Sequence, residues 1–363
     1  MKRISLIAAM VTALSACSTP QQSDVTPTPE PEPVQRLASV RVANQGHSDP
    51  SFLFRGANRI YLGVGDYGLE NVYSAPLSGA SAVADLVPIR DAKGFHAAAF
   101  GANALYGVIE SDPTALVECP LEAPCTAPRS IAPLESLRKY GFVHDAAVEG
   151  QTIALLLNSV TPGAGAIVTV DLRDGAVSAP LATFKDLLFP NRILVSGGYV
   201  YYARPTRDEG SAGSTYAIER VRLNGGAPPE SLVGGLSSVT SLAVDNEGIA
   251  FSSLTAVGSP AADVFTLALS GGTPTKLASL PGVAYIALTK SSVVVNWAET
   301  FVRYARADGR TLAQLVATQK AATNLVVTDS DVLFGTKAAV TPVSRDAPEV
   351  DLGVARVALP SSK

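Results

Sequence analysis

Charge is scarce in this sequence: Asp, Glu, Lys and Arg together make 17% of 363 residues, and the net charge is −4. Such a chain has no broad basic field with which to hold nucleic acid or an acidic membrane surface. Long apolar runs are missing too. The one near the start, Ile4 to Leu14, is far short of the roughly 20 residues that span a bilayer as a helix. Catalytic signatures are likewise wanting, with no Gly-x-Ser-x-Gly elbow, no Walker loop, no His-Glu-x-x-His and no sialidase-type Asp box. "GAGAIV" at Gly163 is too short for a phosphate loop, and "GVGDYG" at Gly63 reads as a hairpin connection. Cysteine occurs three times, as Cys17, Cys119 and Cys125.

Cys17 follows a basic start (Lys2, Arg3) and the apolar run, which together form a secretory signal pattern. The run closes on Leu14-Ser15-Ala16-Cys17, which resembles the bacterial lipobox. That resemblance implies cleavage before Cys17, lipid on its thiol and, with Ser18 rather than an acidic residue next, an outer-membrane lipoprotein of the cell envelope. An ordinary signal peptide cut after Ala16 is the other reading. Residues 17–36 then hold "TPTPEPEP", an extended Pro/Thr/Glu tether that cannot bury enough surface to fold. The expected division is signal peptide 1–16, lipidated tether 17–36 and a folded domain 37–363.

That domain is repetitive. Gly-containing turns recur in "APLSGAS" (Gly79), "VDLRDGAV" (Gly175), "VRLNGGAP" (Gly225), "LALSGGTP" (Gly271) and "YARADGRT" (Gly309), spaced by one or two units of about 40 to 50 residues. Seven aromatic or aliphatic second strands also recur, "NRIYLGV", "NALYGVI", "QTIALLL", "GYVYYAR", "EGIAFSS", "SSVVVNW" and "SDVLFGT", each after a short apolar inner strand. The predicted fold is all-β, a seven-bladed β-propeller of four-stranded antiparallel blades, with six or eight blades as the alternative count. The seventh unit ends without a fourth strand, and "LASVRVA" at Leu37 to Ala43 supplies it, closing the ring from the N-terminus. In the second unit "VECPLEAPCTAP" replaces the Gly turn. An exported address then makes a Cys119–Cys125 disulfide the expected clamp.

"SLAVDNEGIAFSS" followed by "VFTLALSGG" resembles the repeats of NHL-type and YWTD-type propellers. Only the fifth unit carries the Val-Asp and the YWTD tetrapeptide is absent, so the resemblance implies architecture and neither partner nor activity.

In that strand order, the connections into each inner strand and those between second and third strands share one face, where propellers hold ligands. The three histidines, His47, His96 and His144, fall in segments leading to the first three inner strands. With Asp145 or Asp49 they allow a divalent metal site; hydrogen-bonding side chains at the channel mouth are the preferred reading, and no cofactor is predicted. Asp66, Tyr67, Arg204, Arg207, Asp208, Glu209, Trp297 and Glu299 complete a candidate polar and aromatic binding face, on the long segments "ARPTRDEGSAGST" and "GTKAAVTPVSRDAPEVD" among others. The expected function is an envelope binding or scaffold module for a protein or polysaccharide partner, held to the membrane by its lipid and not binding nucleic acid. The alternative is an envelope hydrolase or lyase using the carboxylates and histidines of that face.

Overall fold

Apolar runs of five to nine residues between turn signals become antiparallel strands in the computed structural model. It describes residues 34–43, 50–64, 69–77, 84–85, 87–109, 113–121, 125, 127–158, 165–184, 190, 192–207, 214–319, 321–328, 330–339 and 349–359. Cys17, His47, Asp49, Asp66, Tyr67, Asp208 and Glu209 lie outside the described residues, as does the turn at Gly79.

The first strand, β1 (Gln35–Ala43), belongs to the last blade. Blade 1 follows with β2 (Pro50–Arg55), β3 (Arg59–Val64) and β4 (Leu69–Pro76); the two-residue β5 (Ala84–Asp85) pairs in parallel with β1. Next comes β6 (Val87–Phe100), whose first half is the outer strand of blade 1 and whose second half is the inner strand of blade 2. Blade 2 continues through β7 (Ala104–Ile109), β8 (Ala115–Pro120) and β9 (Arg129–Pro133), and a 3₁₀ turn at Glu135–Tyr140 leads out of it. Blade 3 is β10 (Phe142–Glu149), β11 (Thr152–Asn158), β12 (Gly165–Asp171) and β13 (Ala182–Phe184); blade 4 is β14 (Ile193–Ser196), β15 (Tyr199–Arg207), β16 (Ser214–Arg222) and β17 (Glu230–Leu236). Blade 5 is β18 (Ser241–Asp245), β19 (Gly248–Leu254), β20 (Ala262–Leu267) and β21 (Thr275–Leu280); blade 6 is β22 (Tyr285–Leu288), β23 (Ser292–Trp297), β24 (Thr300–Ala305) and β25 (Thr311–Val316). Blade 7 is β26 (Val326–Val327), β27 (Asp331–Ala339), β28 (Glu349–Ala358) and β1. The propeller has seven blades.

Two features differ from the sequence expectation. No turn separates blades 1 and 2: β6 runs through both, changing register at Leu69/Asn71 and again at Phe95/Ala97, and these bulges turn the strand from one sheet into the next. The described ends of the long blade 4 segment are strand, with Arg204 to Arg207 paired to Ala217 to Ser214. Pro205 is tolerated there since β15 beyond Tyr202 has no strand partner on its β14 side among the described residues.

The recurring glycines do two jobs. Gly175, Gly225, Gly271 and Gly309 all take positive φ, between 71° and 78°, which the third-to-fourth-strand turns require. A Cβ on Gly175 would also stand 2.4 Å from the carbonyl oxygen of Ile131, so this turn packs on the outer strand of the preceding blade.

Cys119 and Cys125 are joined, with Cα atoms 5.4 Å apart, and both sulfurs are buried beside Tyr61, Leu105 and Val117. A loop this short stabilises by roughly 2 kcal/mol through the unfolded chain.

Ring closure rests on β1. It pairs with β28 from Gln35↔Arg356 to Ala43↔Glu349, buries Ala38 fully, and sets Arg36 on Asp351 at 2.7 Å. Deleting residues 35–43 is expected to lower the melting temperature by on the order of 10 °C or more, given a loss of several kcal/mol. An unchanged melting curve would refute closure by this strand.

Candidate functional site

Each inner strand starts on the face that also carries the second-to-third-strand connections, termed here the loop face. The hairpins between first and second and between third and fourth strands lie on the opposite, hairpin face. Propensity and bulge chemistry place the first candidates on the loop face. His144 is the extra residue of a bulge between Val143 and Asp145 in β10, which turns it to solvent. His96 occupies the matching bulge of β6, between Phe95 and Ala97, so the two histidines stand at equivalent backbone positions in successive blades.

Asp145 is drawn inward. Its Oδ2 accepts the Ile193 N–H at 2.8 Å, joining the inner strands of blades 3 and 4. Burial drives the carboxyl pKa up; the Arg192 guanidinium, the N–H groups of Ile193 and Ala146, and His144 oppose that shift without cancelling it. Similar links close other junctions: Ser241 Oγ accepts the Ile286 N–H at 3.2 Å, and Asn324 bonds both the N–H and the carbonyl of Leu53, at 2.7 and 3.0 Å.

Beside Asp145 lies a residue that no sequence signal marks. Asn158 ends β11 directly across from Phe142, on the blade-4 side of the sheet, two residues beyond Leu156 of the blade 3–4 core. It is 1% exposed, and neither Nδ2 nor Oδ1 has a hydrogen-bond partner among the described residues. An unmet buried polar group costs about 1–3 kcal/mol, which makes this amide a point of tension in the blade 3–4 interface. Phe142 is 46% exposed and its ring meets that of His144 edge-on at 6.5 Å. The junction therefore exposes an aromatic ring and an imidazole above a carboxyl and an amide that are buried between the blades. Such a set suits recognition of amide or hydroxyl groups.

Arg204 departs from the expected free rim cation. Its Nε and Nη2 donate to the two carboxylate oxygens of buried Glu219 at 3.1 and 2.6 Å, and burial, followed by the Glu219 charge, pushes the neighbouring Tyr202 phenol pKa up. Arg207 closes β15 opposite Ser214. Trp297 is half-buried and packs into the core between blades 5 and 6, which leaves Glu299 as the exposed polar group of that turn. Ala298 between them takes φ 49°, a conformation held by Asn296 Nδ2 donating to the carbonyls of Ala298 and Thr300, each at 3.0 Å. Among the described residues no three of His, Cys, Asp and Glu are grouped to hold a metal ion.

Among the described residues the exposed large apolar side chains share a location. Phe142, Val257, Val283 and Tyr285 are 40% to 75% exposed, and all four lie on the loop face: at the starts of β10 and β22, in the β19–β20 connection, and in the segment between blades 5 and 6. Among the described residues the hairpin face carries no exposed large apolar side chain, and this difference marks the loop face as the candidate binding face.

The raised pKa of Asp145 gives stability a direction with pH. A carboxyl whose folded pKa lies above its unfolded value supports the fold below the unfolded value, near 3.8, and loses that support as pH rises through the folded one. Asp145→Asn keeps an acceptor for Ile193 and removes the titration. The melting temperature of wild type minus that of the variant should fall as pH is raised from about 4 to about 8, and a flat difference would contradict the buried carboxyl.

No family model matches the chain, and no curated protein matches it. Its fold is found in solved structures. The chain is similar to the computationally designed Ika8 protein with a TM-score of 0.58, 14% identity, and 85% of this chain and 87% of that one covered. The WD40 β-propeller domain of Doa1 gives 0.55 and 12%, covering 88% and 96%; the AfRom2 CNH domain gives 0.53 and 11%, covering 88% and 98%. At such identities the likeness is one of fold alone, a β-propeller ring, and the side chains at the junction of blades 3 and 4 are argued only from this chain's own residues.

Proposed function

We propose that this chain is a lipid-anchored propeller of a bacterial cell envelope, with blades of the NHL or YWTD kind, that binds a protein or glycan partner through its loop face. The observation that carries the binding reading is the gathering of exposed apolar side chains, Phe142, Val257, Val283 and Tyr285, on that face. Exposed His144, in ring contact with Phe142, adds a polar group to this apolar face. A buried disulfide agrees with an oxidising compartment, and the Leu14-Ser15-Ala16-Cys17 sequence supplies the anchor.

Anchoring is checked by fractionation: Cys17→Ser should move the protein from the membrane to the soluble envelope fraction, and a membrane-bound variant would remove lipidation from the reading. Binding is checked in cells with a photo-crosslinking residue placed at Tyr285, at Val257 or, on the hairpin face, at Asn224. Crosslinks to one discrete protein or polysaccharide from the two loop-face positions but not from Asn224 are expected. Adducts from Asn224 alone, or from none of the three, would overturn the assignment of the face.

A further inference from the structure

The rim of the ring is covered by a repeated contact that fails once. In blades 3 to 6 the turn before the fourth strand packs on the outer strand of the preceding blade. A Cβ on Gly271 or Gly309 would stand 3.0 Å from Leu232 or 3.2 Å from Leu277, and Gly175 sits at least as closely on Ile131; each of these is the third residue of its strand. Gly225 lies on Leu181, just before β13, and Gly272 donates its N–H to Leu232 O at 3.2 Å. Blade 7 has no such turn, because its fourth strand is β1 and comes from the other end of the chain. Among the described residues, the outer strand of blade 6, β25, is therefore left without the glycine turn that its counterparts in blades 2 to 5 carry.

Its edge is open in a definite pattern. Among the described residues β25 pairs with β24 alone. Ala317 N–H donates inward to Glu299 O at 2.8 Å, and alternate residues of a strand bond to the same side, so the backbone groups of Gln314 and Val316 point away from the blade. In place of the turn stands the chain that enters β1. Val34 packs on the cluster between blades 6 and 7 that holds Leu315 and Ala317, and its N–H donates at 3.4 Å to Oγ1 of Thr318, two residues beyond β25.

The residues before Val34 carry a matching alternation. Thr26-Pro27-Thr28-Pro29-Glu30-Pro31-Glu32-Pro33 has proline at every second position. Proline lacks an N–H, belongs at strand edges, and holds the residue before it extended. In an extended chain Thr28, Glu30 and Glu32 aim their N–H groups to the side that Val34 aims its own, toward blade 6, while every proline falls on the other side. Such a strand pairs along one edge and leaves a blunt edge outside.

We propose that residues 26–33 pair along the open edge of β25, as a fifth strand of blade 6 whose proline side faces solvent. Val34 beside Thr318 fixes one end, and the turn position of the other blades, over the third residue of the outer strand, fixes the direction: here that residue is Ala313. Counting back from Val34 sets Glu32 beside Val316 and Glu30 beside Gln314, parallel to β25. This docking requires neither the lipid nor the loop-face partner. The free part of the tether then ends at Val25 instead of reaching Val34.

Hydrogen exchange resolved to single residues, on the full chain carrying Cys17→Ser, tests this at the amides of Gln314 and Val316. Both should exchange about tenfold or more slowly than in the same chain lacking residues 18–32. Glu30→Pro removes a donor from the pairing side and should lose most of that protection, whereas Pro29→Ala, on the solvent side, should keep it. Unchanged exchange in β1 reports an intact ring in each variant. Equal exchange of Gln314 and Val316 with and without residues 18–32, or equal loss in Pro29→Ala and Glu30→Pro, would overturn the proposal. Protection that fades on dilution would place a second copy of the chain on β25 and overturn it as well.

Discussion

No blade of this protein can cover its own faces. The buried apolar residues fall into seven clusters, and each lies between two neighbouring blades: Leu53, Leu62 and Leu352 between blades 7 and 1, for example, and Tyr201, Phe251 and Leu267 between blades 4 and 5. A four-stranded sheet with both faces apolar is stable only when sandwiched, so the ring exists because every interface does. The glycine turns that pack on a preceding outer strand, and the side chains of Asp145, Ser241 and Asn324 that reach the next inner strand, fix the rotation from one blade to the next.

That constraint also shapes the candidate site. Asp145 cannot be both a free ligand-binding carboxylate and the clamp on Ile193; the geometry makes it a clamp first, with its exposed neighbours Phe142 and His144 left for recognition. Arg204 follows the same logic, since its charge is absorbed by Glu219 within the blade 3–4 interface. The groups free to act are those that the packing of blades leaves over, among them the exposed apolar side chains of the loop face.

Period and turn chemistry made the architecture readable before any coordinates. Gly175, Gly225, Gly271 and Gly309 were identified as turn residues because Asp-Gly, Asn-Gly and Gly-Gly between apolar runs have few other uses, and all four adopt the positive φ that this reading requires. The second-unit exception at Cys119 and Cys125 was legible for the same reason: a missing turn signal demanded another closure. The continuity of β6 was hidden because Lys93-Gly94 looks like a break, and only register shifts against two partner strands show the chain passing through. Sites were least legible. Asn158 ends an apolar strand as an ordinary polar cap would, and its orphaned amide depends on what blade 4 places beside it. Trp297 looked like a rim residue because aromatic side chains suit both rims and cores, and the packing between blades 5 and 6 places it mainly in the core.

The strand that closes the ring is the first to be synthesised and the last to be paired. Arg36 and Asp351 are 315 residues apart, so β1 has only the two-residue β5 beside it until almost the whole chain exists. The closing contact is as non-local as this sequence permits, and folding must be correspondingly slow to finish. Every nascent or C-terminally truncated product carries open strand edges, at β1 and at whichever blade comes last, and such edges invite association with other chains. A protein built this way depends on being kept apart from its neighbours until translation has ended.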